Sequence, residues 1–125
     1  MTTATSLETA PVPVDEVAQC QSDTTHQIEL IALMNCQLST AVDLQTQTKQ
    51  AHWNVKGPSF IALHELFDRV AASVADSVDL IAERIAQLGG TAEGTTRIAA
   101  QWSCLEAHPI AITDGLSHVQ AVAQA

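Results

Sequence analysis

The stretch FIALHELFDRVAASVADSVDLIAERIAQL, Phe60 to Leu88, decides the fold. Its apolar residues Ile61, Leu63, Leu66, Phe67, Val70, Val74, Val78, Ile81, Ile85 and Leu88 recur at three- and four-residue steps, the spacing of an amphipathic helix. Pro58 and Ser59 open it, because proline is tolerated in a first helical turn whose N–H groups lack intrahelical partners. Gly89 and Gly90 close it, since glycine takes the left-handed C-terminal conformation without a steric cost.

Four candidate ligands lie within this helix: His64, Asp68, Asp79 and Glu83. At about 100° per residue, and with His64 at zero, the others fall near ~40°, ~60° and ~100°, so all four share one stripe. Asp68 and Asp79 are nevertheless roughly 16 Å apart along the axis, too far for one metal ion. The two pairs share a midpoint between Ser73 and Val74. A second copy crossing antiparallel there would bring His64 and Asp68 of one chain to Asp79 and Glu83 of the other, twice, across an isologous contact. Two equivalent metal sites per dimer are therefore expected. Imidazole with carboxylate suits first-row divalent ions such as iron, zinc or manganese, and gives no support to a thiolate site. Taken singly, an acidic residue on a helix is most often a solvated surface group. The shared stripe and common midpoint are what set this quartet apart.

The remainder of the chain fits around that helix. Its 125 residues suit one domain. Residues 1–25 read as an acidic, disordered tail, rich in Thr, Ala and Ser and interrupted by Pro11 and Pro13. The domain is expected over 26–125. A long helix is predicted from about His26 to Asn54, with a core stripe of Ile31, Met34, Leu38, Ala41, Leu44 and Ala51, weakened by the Gln and Thr cluster at 45–50. Lys56-Gly-Pro-Ser59 breaks the pattern and predicts an antiparallel helical hairpin. That hairpin sets His52 beside the start of the second helix, where it is a candidate third ligand. Trp53 reads as a packing residue at the junction, with electron donation beside redox iron as the functional alternative. Lys49 reads as a surface lysine, or as a charge offsetting nearby carboxylates.

Past Gly90 the spacing predicts a turn-rich link, a short helix over 98–105, a break at His108-Pro109, and a new helix from Thr113 with Leu116, Val119 and Val122 inward. Cys20, Cys36 and Cys104 show no paired spacing, which speaks against a disulfide framework or a zinc cluster. Cys36 and Cys104 are expected as buried apolar residues, and Cys20 as an exposed thiol in the tail. His26, His108 and His118 have no partner at ligand spacing and stay unassigned. Fourteen acidic against five basic residues give a net charge of −9, which repels phosphate backbones and favours cations. The first basic side chain is Lys49, so the tail cannot neutralise DNA phosphates. No apolar run approaches a membrane span and no secretory signal opens the chain, so a cytoplasmic protein is expected.

Lys49-Gln-Ala-His-Trp-Asn-Val-Lys-Gly-Pro-Ser-Phe60, Leu63-His-Glu-Leu-Phe-Asp68, Asp79 with Glu83, and Leu88-Gly-Gly followed by Glu93-Gly-Thr-Thr96 together resemble the Dps family of mini-ferritins. The resemblance covers about residues 28–125. It implies an all-α, ferritin-like four-helix bundle, here truncated in the third helix, and assembly into a hollow homododecamer. It also implies ferroxidase sites at the two-fold contacts, with His52, His64 and Asp68 from one subunit and Asp79 and Glu83 from its neighbour. The implied reaction is oxidation of Fe(II) to Fe(III), preferentially by hydrogen peroxide with dioxygen as the alternative oxidant, and storage of the ferric product. The family also protects DNA, often through basic tails, which makes direct DNA binding doubtful for this acidic chain and nucleoid association secondary. The alternatives are a DNA-coating structural protein and an inactive truncated remnant. The alternative ferritin-like site inside one bundle needs Glu-x-x-His pairs, and this sequence has none.

Overall fold

The computed structural model describes the backbone of residues 14–125 and the side chains of residues 23–125. Its described residues form α1 (Val14–Asn54), α2 (Phe60–Gln87), α3 (Thr96–Trp102) and α4 (Gly115–Gln124). The first two helices make the antiparallel hairpin. Gln27 of α1 reaches the Leu88 carbonyl at the far end of α2, while Lys49 meets Asp68 and His52 meets His64 near the turn.

The helix expected from about His26 instead begins at Val14, and α1 crosses the anticipated tail boundary without a break. No Gly or Pro occurs between Pro13 and Gly57, so nothing in that span interrupts a helix once begun. The expected tail from 1 to 13, and the side chain of Cys20, lie outside the described residues.

The polar cluster at 45–50 does not weaken α1, because its groups are satisfied locally or by the loop above. Thr48 donates to the Leu44 carbonyl, and Gln47 donates both to Asp43 and to the Glu106 carbonyl. Asp43 in turn accepts from the Ser103 hydroxyl. These bonds hold the segment after α3 against the middle of α1.

The end of α2 is closed as the glycine pair predicts. Gly89 takes φ +79°, its N–H bonds the Ala86 carbonyl, and the Gly90 N–H reaches back to the Ile85 carbonyl. This is a Schellman closure, with the left-handed residue one position past the last helical turn.

The short helix expected over 98–105 spans Thr96–Trp102 and stops where Ser103 turns extended. Asp114 caps α4 by accepting from the Ser117 N–H, so the helix starts at Gly115, two residues beyond Thr113. The core at this end is Ala51, Val55 and Phe67, with Leu63, Val119 and Val122 packed on it. Leu116, expected inward, is 68% exposed. Cys36 is half-buried and Cys104 exposed, so neither is the core residue expected. Cys104 lies on the α3 side of α1, with its Sγ 3.4 Å from the Thr40 hydroxyl. Among the described residues no helix is long and apolar enough to cross a membrane.

Candidate metal centre

The last turn of α1 leaves carbonyls without helical partners, and the His52 carbonyl is one of them. His64, in the first turns of α2, fills that need: its Nδ1 lies 2.8 Å from the His52 carbonyl oxygen. The reverse bond is also present, with His52 Nδ1 at 2.7 Å from the His64 carbonyl oxygen. A carbonyl can only accept, so both Nδ1 atoms carry the proton. In the neutral ring this tautomer leaves the lone pair on Nε2, the form a metal-binding histidine needs. The rings stack with centroids 3.7 Å apart and planes 23° from parallel. Phe60 lies against the His64 ring at 5.0 Å.

One helical turn beyond His64, Asp68 is exposed and bonded to Lys49 Nζ at 2.6 Å. The Lys49 hydrogen bond and charge hold the Asp68 carboxyl below the usual carboxylate range, with a smaller contribution from His52 and His64. Lys49 is thus a carboxylate partner rather than a free surface lysine. The sequence signal was its place one turn before His52, on the face that the hairpin turns toward α2.

Three of the five expected ligands, His52, His64 and Asp68, are so gathered at one end of α2. Asp79 and Glu83 sit on exposed turns toward the other end, and no hydrogen bond or ion pair holds them among the described residues. Among the described residues of one chain, no group of three or more His, Cys, Asp or Glu side chains converges to hold a metal ion. The two half-sets stand apart, as the spacing along the helix requires.

Sequence reasoning missed a second histidine pair. His108 and His118, left unassigned above, meet with His108 Nε2 3.3 Å from His118 Nδ1 and rings 13° from parallel. Ten residues and a helix start separate them in the chain, so no ligand-type spacing marks the contact.

The described residues thus form a long helical hairpin with two shorter helices packed on α1. Residues 31–125 match the family model described as a ferritin-like domain. A DNA protection during starvation protein of Agrobacterium fabrum is 43% identical over 93 residues, which is 74% of this chain and 57% of that protein. Among solved structures, DpsA14 from Streptomyces coelicolor superposes with a TM-score of 0.71 at 38% identity, covering 75% of this chain and 56% of the other. A Dps protein from Vibrio cholerae O1, described as a member of the ferritin-like diiron-carboxylate superfamily, gives a TM-score of 0.75 at 24% identity, over 79% and 62% of the two chains. The chain belongs to the ferritin-like family, in its Dps branch. It spans little more than half the length of the Agrobacterium relative.

Proposed function

We propose that this chain is an iron-binding mini-ferritin subunit whose ferroxidase site forms only when two copies meet. The observation that carries the reading is the placement of two ligand pairs on α2. His64 and Asp68 lie as far before the midpoint of the pairs as Asp79 and Glu83 lie after it, with His52 locked beside His64. An antiparallel crossing of two α2 helices joins each pair to its complement. The resulting set is two imidazole Nε2 atoms and three carboxylates, a donor set suited to Fe(II). Three carboxylates exceed the charge of one Fe(II), so a second, weaker iron has support at the same site.

Iron is the substrate here. The protein's part is to hold Fe(II) beside the oxidant, hydrogen peroxide or dioxygen, while leaving a coordination position open. The imidazoles enter preoriented, since their Nδ1 protons are held on backbone carbonyls. Asp68 is ionised across the physiological range. The ferric product is stored within a closed homo-oligomer, for which the Dps relationship suggests twelve subunits. We assign this chemistry to the domain from residue 26 onward and place the protein in the cytoplasm. Protection of DNA then follows from removing iron and peroxide.

The test is an anaerobic Fe(II) titration of the assembled protein beside His52→Ala and Asp79→Ala, with oligomer size checked by sedimentation. High-affinity Fe(II) binding in the parent and its loss in both variants is the expected result. Unchanged binding in both assembled variants overturns the reading.

A further inference from the structure

His118 projects from α4 and is 1% exposed, with its ring edge-on to Phe67 of α2 at 6.4 Å. Its Nδ1 faces His108 Nε2 from the segment between α3 and α4. The other two ring nitrogens, His108 Nδ1 and His118 Nε2, are buried with no hydrogen-bond partner. We propose that this histidine pair is an acid-released latch, which seats α4 and the segment before it on the α1–α2 hairpin.

Proton accounting gives the reason. Two neutral imidazoles carry two N–H groups; one proton lies between the rings and the other sits on one of the two orphaned nitrogens. A third proton fills the remaining orphan, adding both a charge and a second unpaired buried donor. A fourth removes the acceptor between the rings and sets two cations with ring centres 5.5 Å apart. In the released state both rings face water, where protonation meets neither obstacle. Protons therefore favour release.

The groups around the pair do not offset this. From α1 the neighbours are Gln47, which lines the recess beside His108, and Thr46, Gln50 and Trp53, which line a second opening on that residue. From α2 the neighbour is Phe67. Glu106 lines the same recess but is exposed. Asp114, one turn before His118 at the start of α4, interacts with its charge but is exposed and already accepts from Ser117, and the Ala125 end of the described chain lines the recess beside His108. Burial first, and then the charge of His118, hold the His108 ring below the usual imidazole range. Val119 and Val122 flank His118 and pack on Ala51, Val55 and Phe67, so release of the latch opens that core.

The test is hydrogen–deuterium exchange of the full chain from pH 7.5 to 5.0, with protection corrected for intrinsic exchange. A group with a depressed folded pKa binds its proton in the open state first, so the fall begins below about pH 6.5 at about tenfold per pH unit for one proton. Protection of α4 is expected to fall in this way while α2 retains its own. His118→Phe keeps a ring against Phe67 and is expected to give α4 protection that no longer changes with pH. Flat α4 protection in the parent, an equal loss in α2, or the same pH-dependent fall in His118→Phe overturns the proposal. Imidazole titration of the parent by NMR tests it without any variant. A His108 value below the free-imidazole value of about 6.5 supports the latch, and a value at or above it overturns it.

Discussion

Replacing His64 separates what its ring does for the fold from what it does for iron. His64→Ala loses one hydrogen bond to the otherwise unpaired His52 carbonyl and the stack on His52, a cost of about 1–2 kcal/mol in urea unfolding. His64→Asn offers an amide donor where Nδ1 stands, so it is expected to recover most of that stability. It has no counterpart to Nε2, and its Fe(II) affinity should stay as low as that of the alanine variant. Recovery of both properties together would show that His64 is structural only. Asp68 gives a second test. Its carboxyl is held low by Lys49, so its favourable interaction is fully present above the ordinary aspartate value and is lost as the pH falls through the depressed one. Lys49→Gln should move the Asp68 titration upward toward the ordinary range, read from its carboxyl carbon by NMR. The His64–Asp68 step is legible in the sequence because four residues make one helical neighbour. The Lys49–Asp68 contact is not, because it depends on the register in which α1 lies along α2.

At the scale of the element, the two glycines that close α2 are there for different reasons, and substitution can tell them apart. Gly89 has φ +79° with open space around its missing Cβ, where the nearest atom is 3.9 Å away on Gln27. Its requirement is conformational, so Gly89→Ala should cost about 1 kcal/mol and Gly89→Asn less, because asparagine tolerates the left-handed region. Gly90 has no positive φ, but a Cβ there would stand 2.7 Å from Ile31 Cγ2 and 3.1 Å from Ile85 Cγ2. Its requirement is close packing, and either Gly90→Ala or Gly90→Asn should cost about 1–3 kcal/mol. Thermal unfolding of the four variants checks the pattern, and an asparagine rescue at 90 would contradict it. The closure of α2 could be read from the Gly pair, and its length from unbroken periodicity. The start of α1 could not, because Thr, Ser and Asp in 15–25 suit a helix and a loop alike. The polar residues at 45–50 misled for another reason: the bond from Gln47 to the Glu106 carbonyl joins groups 59 residues apart, beyond any periodic pattern.

For the whole molecule, charge and symmetry make separate demands. A chain with fourteen acidic and five basic residues offers little to release counterions from DNA, so a gel shift at low salt should show no complex. A retarded band there would return the DNA-coating reading to first place. Symmetry permits a stricter test of the shared site. A chain carrying His64→Ala with Asp68→Ala keeps Asp79 and Glu83, and a chain carrying Asp79→Ala with Glu83→Ala keeps His64 and Asp68. Alone, each forms dimers in which both sites are half-empty, and neither should bind Fe(II) tightly. Dissociated, mixed in equal amounts and reassembled, about half the dimers are hybrids, and each hybrid has one complete site and one with none of the four α2 ligands. Binding should therefore return to about a quarter of the parent's sites, and oxidation of Fe(II) with it. A centre built from one chain alone cannot be restored by mixing, since every chain in the mixture is itself defective. Recovery near a quarter requires a site divided between two copies of α2, whereas no recovery from a reassembled mixture would place the iron elsewhere.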